Sequence, residues 1–412
     1  MLTPMPEAGE RRPDDLYSWL RLGLCVALAT VGSVGMWAFI VVLPYVQADF
    51  AVERAQASLP YTSAMIGFAL GNVVIGRYVD RFGIALPVAL AGVALAAGFA
   101  LCALSQSIWQ FTILQGLVGL GASATFGPLI ADISHWFERR RGIAVAAVAS
   151  GNYLAGVVWP TVIKLILESG SWRLAFVVIA IVCIVMILPL TFMLQADPPE
   201  ASSAAAGRVN GSRPGRGASP FSPAVLQGLL VVAGLACCVA MSMPQVHIVA
   251  YCVDLGYGVA RGAEMLSLML AGGIVSRLAS GMVADVIGGV RTLLIGSVLQ
   301  GLSLALYIPF DGLASLYIVS LVFGLAQGGI VPCYAIIIRE YLPAREAGQR
   351  VGIVVMATII GMAVGGWMSG FIYDLTGSYR AAFLNGIAWN VLNAAVMFTI
   401  LLRSRRLASA TV

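Results

Sequence analysis

One arginine inside an apolar run is the first chemistry the sequence offers. Residues 271–281 read AGGIVSRLASG, so Arg277 sits among Gly, Ala, Ser and aliphatic residues. Its guanidinium is permanently charged and presents a planar fork of donors that fits a carboxylate. Arg277 lies eight residues before Asp285. At 1.5 Å per residue this is about 12 Å into an apolar layer about 30 Å thick, where an arginine costs about 2.5–3.5 kcal/mol. Asp285 is too far along the helix to pair with it, and no other acid falls in the middle of an apolar run. A charge without a built-in partner points to a ligand carboxylate. The rival reading is a structural bond to backbone carbonyls of a neighbouring helix.

Other polar and aromatic residues stand near it in kind. His247, in PQVHIVAY, is able to donate to a second carboxylate or hydroxyl, or to take up a proton near neutral pH; packing inside a helix bundle is the competing use. SGNYLAGVVWP places Asn152, Gly156 and Trp159 at i, i+4 and i+7, one face of a helix, with Tyr153 around the corner. An asparagine in a membrane helix must face a cavity or a bonding neighbour. Lys164 precedes Glu168 by four residues, a weak reversed pair, and reads as an interfacial side chain reaching for the headgroups. The seven cysteines show no CxxC or Cys/His ligand spacing, so no metal site is expected.

These residues need helices in a bilayer to position them. The chain has 412 residues, 60% hydrophobic and only 10% charged, with a mean hydropathy of +0.93. Soluble domains carry about a quarter charged residues, so the sequence describes an all-α polytopic membrane protein. Apolar runs predict twelve spans near 18–45, 58–78, 84–104, 108–134, 142–166, 173–195, 222–253, 263–284, 291–309, 313–338, 350–371 and 379–402. The expected organisation is a tail at 1–17, a six-helix bundle at 18–195, a linker at 196–221, a second bundle at 222–402 and a tail at 403–412. The linker, rich in Ala, Ser, Gly, Pro and Arg, has no apolar face to bury. The mixed acids, bases and prolines before the first run do not read as a cleavable signal. With the N-terminus in the cytoplasm, eighteen of the 24 basic residues fall on that side. The positive-inside rule therefore predicts cytoplasmic termini in a plasma (bacterial inner) membrane.

The halves repeat. GSWRLAF (170–176) and GSYRAAF (377–383) are offset by 207; VDRFG and ADVIGG place Asp80 and Asp285 205 apart; GLGASATFGP (119–128) aligns with GLAQGGIVP (324–332) at about the same spacing. Two six-helix repeats of parallel sense imply a pseudo-twofold axis normal to the membrane.

Together these features resemble the major facilitator superfamily over essentially the whole chain. GNVVIGRYVDRFG (71–83) is similar to its Gly-xxx-Asp-Arg-x-Gly loop motif, with Gly76, Asp80, Arg81 and Gly83 on the matching positions. In that family the Asp and Arg tie the halves together on the cytoplasmic face when the carrier opens outward. Closer resemblance is to the monocarboxylate transporter and oxalate/formate antiporter branch. HWFERRRGIAVAAVASGNYLAG (135–156), which contains Arg141, is similar to that branch's fifth-span start; MPQVHIVAYCVDLGYG and SRLASGMVAD resemble its seventh and eighth spans. Arg277 falls on the position of an intramembrane arginine that binds a substrate carboxylate there. Gln327 and Trp37 belong to spans that line the cavity in this superfamily, with helix packing as the rival.

Two departures bear on coupling. Gly273 stands where proton-coupled members carry an aspartate, and the first span (GMWAFIVVLP) lacks their lysine. A fourth-span arginine of proton-linked drug antiporters is also missing, with Gln115 in its region. The resemblance implies a secondary transporter of a small organic anion, a monocarboxylate or short dicarboxylate, working by alternating access. A proton or counter-anion is the coupled species; no cofactor or nucleic acid is expected, and a monomer suffices. Efflux of amphipathic drugs or uptake of a neutral solute is the alternative. Two histidines, no midspan acids and no P-loop lysine motif leave no basis for an enzyme, and the short tails none for a sensor.

Overall fold

A computed structural model describes residues 13–137, 140–196, 221–342 and 346–410. Twelve helices among these residues are long and apolar enough to cross a membrane. In order they are Leu16–Phe50, Arg54–Val79, Ala85–Ala103, Ile108–Trp136, Gly142–Glu168, Trp172–Phe192, Pro223–Asp254, Gly258–Ile287, Gly289–Leu306, Leu313–Tyr341, Gln349–Thr376 and Tyr379–Ser404. Each expected span is found. The last helix continues to Ala410, into the segment expected as a tail. Nearly all of the expected linker, at 197–220, lies outside the described residues.

Local chemistry sets several ends. Asp15 accepts from Ser18 N at 2.7 Å and caps the first helix; Ser107, Ser171 and Ser222 cap the fourth, sixth and seventh in the same way. Gly83 and Gly288, 205 residues apart, close the second and eighth helices at φ +74° and +86°. Their N–H groups bond Val79 O and Ala284 O, both at 2.9 Å. Positive φ is a glycine conformation, so these two turns demand the residue they have.

Three spans break midway. The first splits at Ser33 into Leu16–Gly32 and Val34–Phe50. The fourth splits into Ile108–Ser123 and Gly127–Trp136, and the tenth into Leu313–Gln327 and Ile330–Tyr341. Outward faces carry Leu90, Ile113, Ile181, Val185, Leu302 and Ile318, all exposed, as helices bathed in hydrocarbon should.

Packing repeats with the sequence. The second span packs on the fourth and the eighth on the tenth; the third on the sixth and the ninth on the twelfth; the first on the fifth and the seventh on the eleventh. A Cβ added at Gly119 would sit 1.9 Å from Ala64 O, and one at Gly324 would sit 1.9 Å from Met269 O. Both glycines and both carbonyl residues are 205 apart, so one backbone-to-backbone approach is built twice. Across the halves, the second span meets the eleventh and the fifth meets the eighth, again related by the same exchange. The two faces of the bundle are called below the terminal face, which carries Pro13 and Ala410, and the distal face.

Candidate functional site

The seam between the fifth, eighth and tenth spans holds Arg277. Its guanidinium carbon lies 4.2 Å from the centre of the Tyr153 ring. Nη1 donates to Ala149 O on the fifth span at 3.0 Å, and Nε donates to Gly328 O on the tenth at 3.4 Å. The expectation that this charge has no built-in partner is thereby corrected: it has two backbone carbonyls, one in each half of the molecule. Both are neutral, so the bonds satisfy donors without cancelling the charge.

The small residues around Arg277 explain its neighbours' approach. A Cβ at Gly328 would meet Gly273 O at 2.2 Å, and one at Gly329 would meet Ser280 Oγ at 1.8 Å. The stretch AGGIVSRLASG is thus the bed on which the break of the tenth span rests. Gly328 ends the upper half-helix, and its carbonyl accepts from Arg277.

Gln327 sits at the same break. Its Oε1 accepts from Tyr153 OH at 3.4 Å, joining the halves, while its buried Nε2 has no partner among the described residues. Gly273 is beside it: a Cβ there would lie 3.5 Å from Gln327 Nε2 and 3.5 Å from Tyr153 Cε2, ordinary contact distances. Trp37 closes the group, its ring centroid 6.5 Å from that of Tyr153. The structure therefore gathers Arg277, Tyr153, Gln327 and Trp37.

Asn152 and Trp159 turn to the first span. Trp37 Nε1 donates to Asn152 O at 2.9 Å, Asn152 Nδ2 reaches Met36 Sδ at 2.9 Å, and Trp159 Nε1 donates to Thr30 O at 3.0 Å. Gly156, between them, admits the Trp37 ring and Leu270. The face read as i, i+4, i+7 is real, and in this state it packs on a helix.

His247 is fully buried elsewhere, toward the distal face. Its Nδ1 lies 3.0 Å from Tyr379 OH and its Nε2 2.7 Å from Gly366 O, so neither ring nitrogen is free in this state. Tyr379 OH also accepts from Arg54 Nη1 at 2.6 Å. Arg54 Nη2 bonds Asp254 Oδ1 at 3.1 Å, and its guanidinium lies 4.7 Å from the Tyr373 ring. Asp374 caps the second helix from the eleventh, accepting from Arg54 N at 2.9 Å and Ala55 N at 2.6 Å. A carboxylate at a helix N-terminus is favourable for the dipole as well as for the free N–H groups.

Lys164 does not pair with Glu168. It reaches across the halves to Glu264 at 2.5 Å, and Glu264 also accepts from Tyr317 OH and Arg261. Further along the seam Thr62 Oγ1 donates to Ala363 O at 3.0 Å, and Tyr61 packs on Gly366. These bonds between the halves run from the level of Arg277 to the distal face.

On the terminal face the loop motif stands apart. Arg81 is exposed, its guanidinium 5.3 Å from the Phe82 ring, and Asp285 is exposed. A Cβ at Gly76 or Gly83 would meet nothing within 4 Å. The side chains of Asp80 and Arg141 lie outside what the structure describes. A pair the sequence reading missed lies nearby in the first half. Arg21 and Asp132 make two bonds of 2.8 Å under the Trp136 ring, and Arg21 also donates to Ala196 O at 3.2 Å. The signal was an arginine and an aspartate each inside an apolar run, but 111 residues separate them.

Twelve spans in two pseudo-symmetric halves, joined along a polar seam that runs from Arg277 to the distal face, are the architecture of a membrane carrier. The sequence matches the Major Facilitator Superfamily over residues 25–281 and 262–411, and the chain belongs to it. It is 27% identical to monocarboxylate transporter 13 of Bos taurus over 368 residues, covering 86% of this chain and 83% of that one. It is 23% identical to the MFS transporter asaE of Aspergillus flavus over 377 residues, 87% and 81% of the two chains. Among solved structures it resembles the nucleoside transporter NupG (TM-score 0.74, 12% identity, 92% and 99% covered). A bacterial homologue of the human lysosomal transporter Spinster, in an inward-facing and occupied conformation, gives a TM-score of 0.71 at 14% identity, covering 95% and 98%.

Proposed function

We propose that the protein is a secondary transporter of a small organic anion, a monocarboxylate or short dicarboxylate, with Arg277 as the carboxylate anchor. The observation that carries this is the guanidinium shared between Ala149 O and Gly328 O, stacked on Tyr153 and, among the described residues, bonded to neutral acceptors. A carboxylate accepts two parallel charge-assisted bonds from such a fork and outcompetes a carbonyl for it. Taking Arg277 from Ala149 O would remove one tie between the fifth span and the eighth, leaving the Lys164–Glu264 pair nearer the distal face. Substrate binding and movement of the halves would then be one event. Tyr153, Gln327 Nε2 and Trp37 supply the rest of the lining; Asn152, Trp159 and His247 join it only if the bundle rearranges. The similarity to monocarboxylate transporter 13 supports this reading.

With the termini in the cytoplasm of a plasma (bacterial inner) membrane, the terminal face is the inner one and the sealed distal face the outer one. The carrier is then open inward, with Arg81 and Asp285 exposed and Gly76 and Gly83 free of close neighbours; Asp80 and Arg141 belong to the same motif group. In the outward-open state this group closes the inner mouth. The coupled species is a proton or a counter-anion, and a monomer carries the whole cycle.

The test is uptake of labelled pyruvate, lactate or oxalate into proteoliposomes. Truncating one partner of a desolvated charge pair costs about 2–5 kcal/mol, so Arg277→Ala should weaken apparent affinity at least about thirtyfold. Arg277→Lys, a point charge without the fork, should recover only part of it. Equal uptake by wild type and Arg277→Ala would sink the anchor. That result would favour efflux of amphipathic drugs or uptake of a neutral solute; the similarity to fungal transporters such as an agnestins efflux protein of Paecilomyces divaricatus supports the efflux form.

A further inference from the structure

Beyond the anion site, a buried chain of hydrogen bonds runs from the distal seal to His247, and its donors can be assigned. Gly366 O can only accept, so His247 Nε2, at 2.7 Å, carries the hydrogen. Arg54 can only donate, so Tyr379 OH accepts from Nη1 at 2.6 Å. The phenolic hydrogen is then directed at His247 Nδ1, 3.0 Å away, which must be bare. The chain reads Arg54 to Tyr379 to His247 to Gly366 O, and only the neutral Nε2–H tautomer completes it.

A second proton on Nδ1 breaks this order. Nδ1–H would face a hydroxyl that already accepts from Arg54, the phenolic hydrogen would lose its acceptor, and one oxygen would stand between two cations. Among the charged and titratable groups of the surrounding elements, both acids are already held. From the second span come Arg54 and the buried Tyr61; from the seventh, Asp254, held by Arg54, and Tyr251, whose ring centroid is 5.4 Å from that of Tyr379. From the eleventh come Asp374, held by the N–H groups of Arg54 and Ala55, and Tyr373, 4.6 Å from Tyr379 by ring centroids. Arg380 on the twelfth is exposed. No acid in this set makes a bond to the imidazole.

We propose that His247 is a proton-sensitive positioning residue of the distal seal. Neutral, it orients Tyr379 to hold Arg54 across the halves; protonated, it releases that hold and favours the conformation open at the distal face. The inference uses membership of the superfamily and the distal network alone, and stands or falls separately from the Arg277 reading.

The test needs no substrate. Leu104 and Phe310 are exposed in distal loops of opposite halves, and the seven native cysteines are buried. Spin labels on Leu104→Cys and Phe310→Cys, in the full chain in proteoliposomes, report the distal opening by electron–electron distance measurement between about pH 5 and 8, the histidine range. In the wild-type background the long-distance population should grow as pH falls, its ratio to the short one changing by up to about tenfold per pH unit, the limit for one proton. His247→Gln keeps a donor for Gly366 O and an acceptor for Tyr379 without titrating, and should stay short at every pH. Tyr379→Phe, checked for a single monodisperse elution peak, should lose the pH response. A wild-type distribution that does not change with pH overturns the proposal, and so does a His247→Gln variant that still responds.

Discussion

Single residues show where charge inside the bundle is legible and where it is not. Arg277 stood out because its neighbours are apolar, and the seam it occupies brings Tyr153, Gln327 and Trp37 to it. Its partners did not stand out, because backbone carbonyls carry no sequence signature. Lys164 was visible but its partner Glu264 was not, since 100 residues and the boundary between the halves separate them. Periodicity relates residues along one helix, whereas such pairs follow from how helices are arranged. The Lys164–Glu264 bond lies in the partly exposed distal mouth, where an ion pair contributes about 0.2–1 kcal/mol. Lys164→Glu should therefore shift the distal seal toward open by about 1.4- to fivefold, given 1.4 kcal/mol per decade. The exchange Lys164→Glu with Glu264→Lys should restore it, as read by the Leu104–Phe310 label distance.

At the scale of helices, the sequence was close to complete. Span limits fall within a few residues of those expected because crossing hydrocarbon takes about 20 mostly apolar residues, and charged and turn residues mark where each run stops. Breaks in the first, fourth and tenth spans went unread: a Gly-Gly or Ser inside an apolar run is compatible with straight helix until a neighbour presses on it. Close approach has a measurable sign. Gly→Ala in a free helix gains about 1 kcal/mol of propensity. At Gly119 or Gly324, however, the added Cβ would enter a backbone carbonyl at 1.9 Å, which no side-chain rotation relieves. Overpacking costs about 1–3 kcal/mol, so either substitution should lower the unfolding temperature in detergent. Gly76→Ala, facing nothing within 4 Å, should raise it or leave it unchanged.

For the whole molecule, duplication is the organising fact, and it was readable because three segments kept one spacing. Paired turns at Gly83 and Gly288 and paired contacts at Gly119 and Gly324 give that spacing a geometry. Orientation rests on arginine placement and has a direct check. A membrane-impermeant maleimide should label Phe310→Cys in intact cells and His135→Cys, exposed on the terminal face, only in inverted vesicles. The opposite pattern would reverse the inward-open assignment. The broken tenth span has a mechanical consequence. Arg277 grips the carbonyl at the joint between Leu313–Gln327 and Ile330–Tyr341, so it acts as a pin through an elbow. A ligand that withdraws the pin changes the stiffness of the column as well as its contacts. The lower arm stays tied to its own half through Tyr334 OH on Asn393 Oδ1 and Glu340 on Gly289 N, so the release is felt first at the joint.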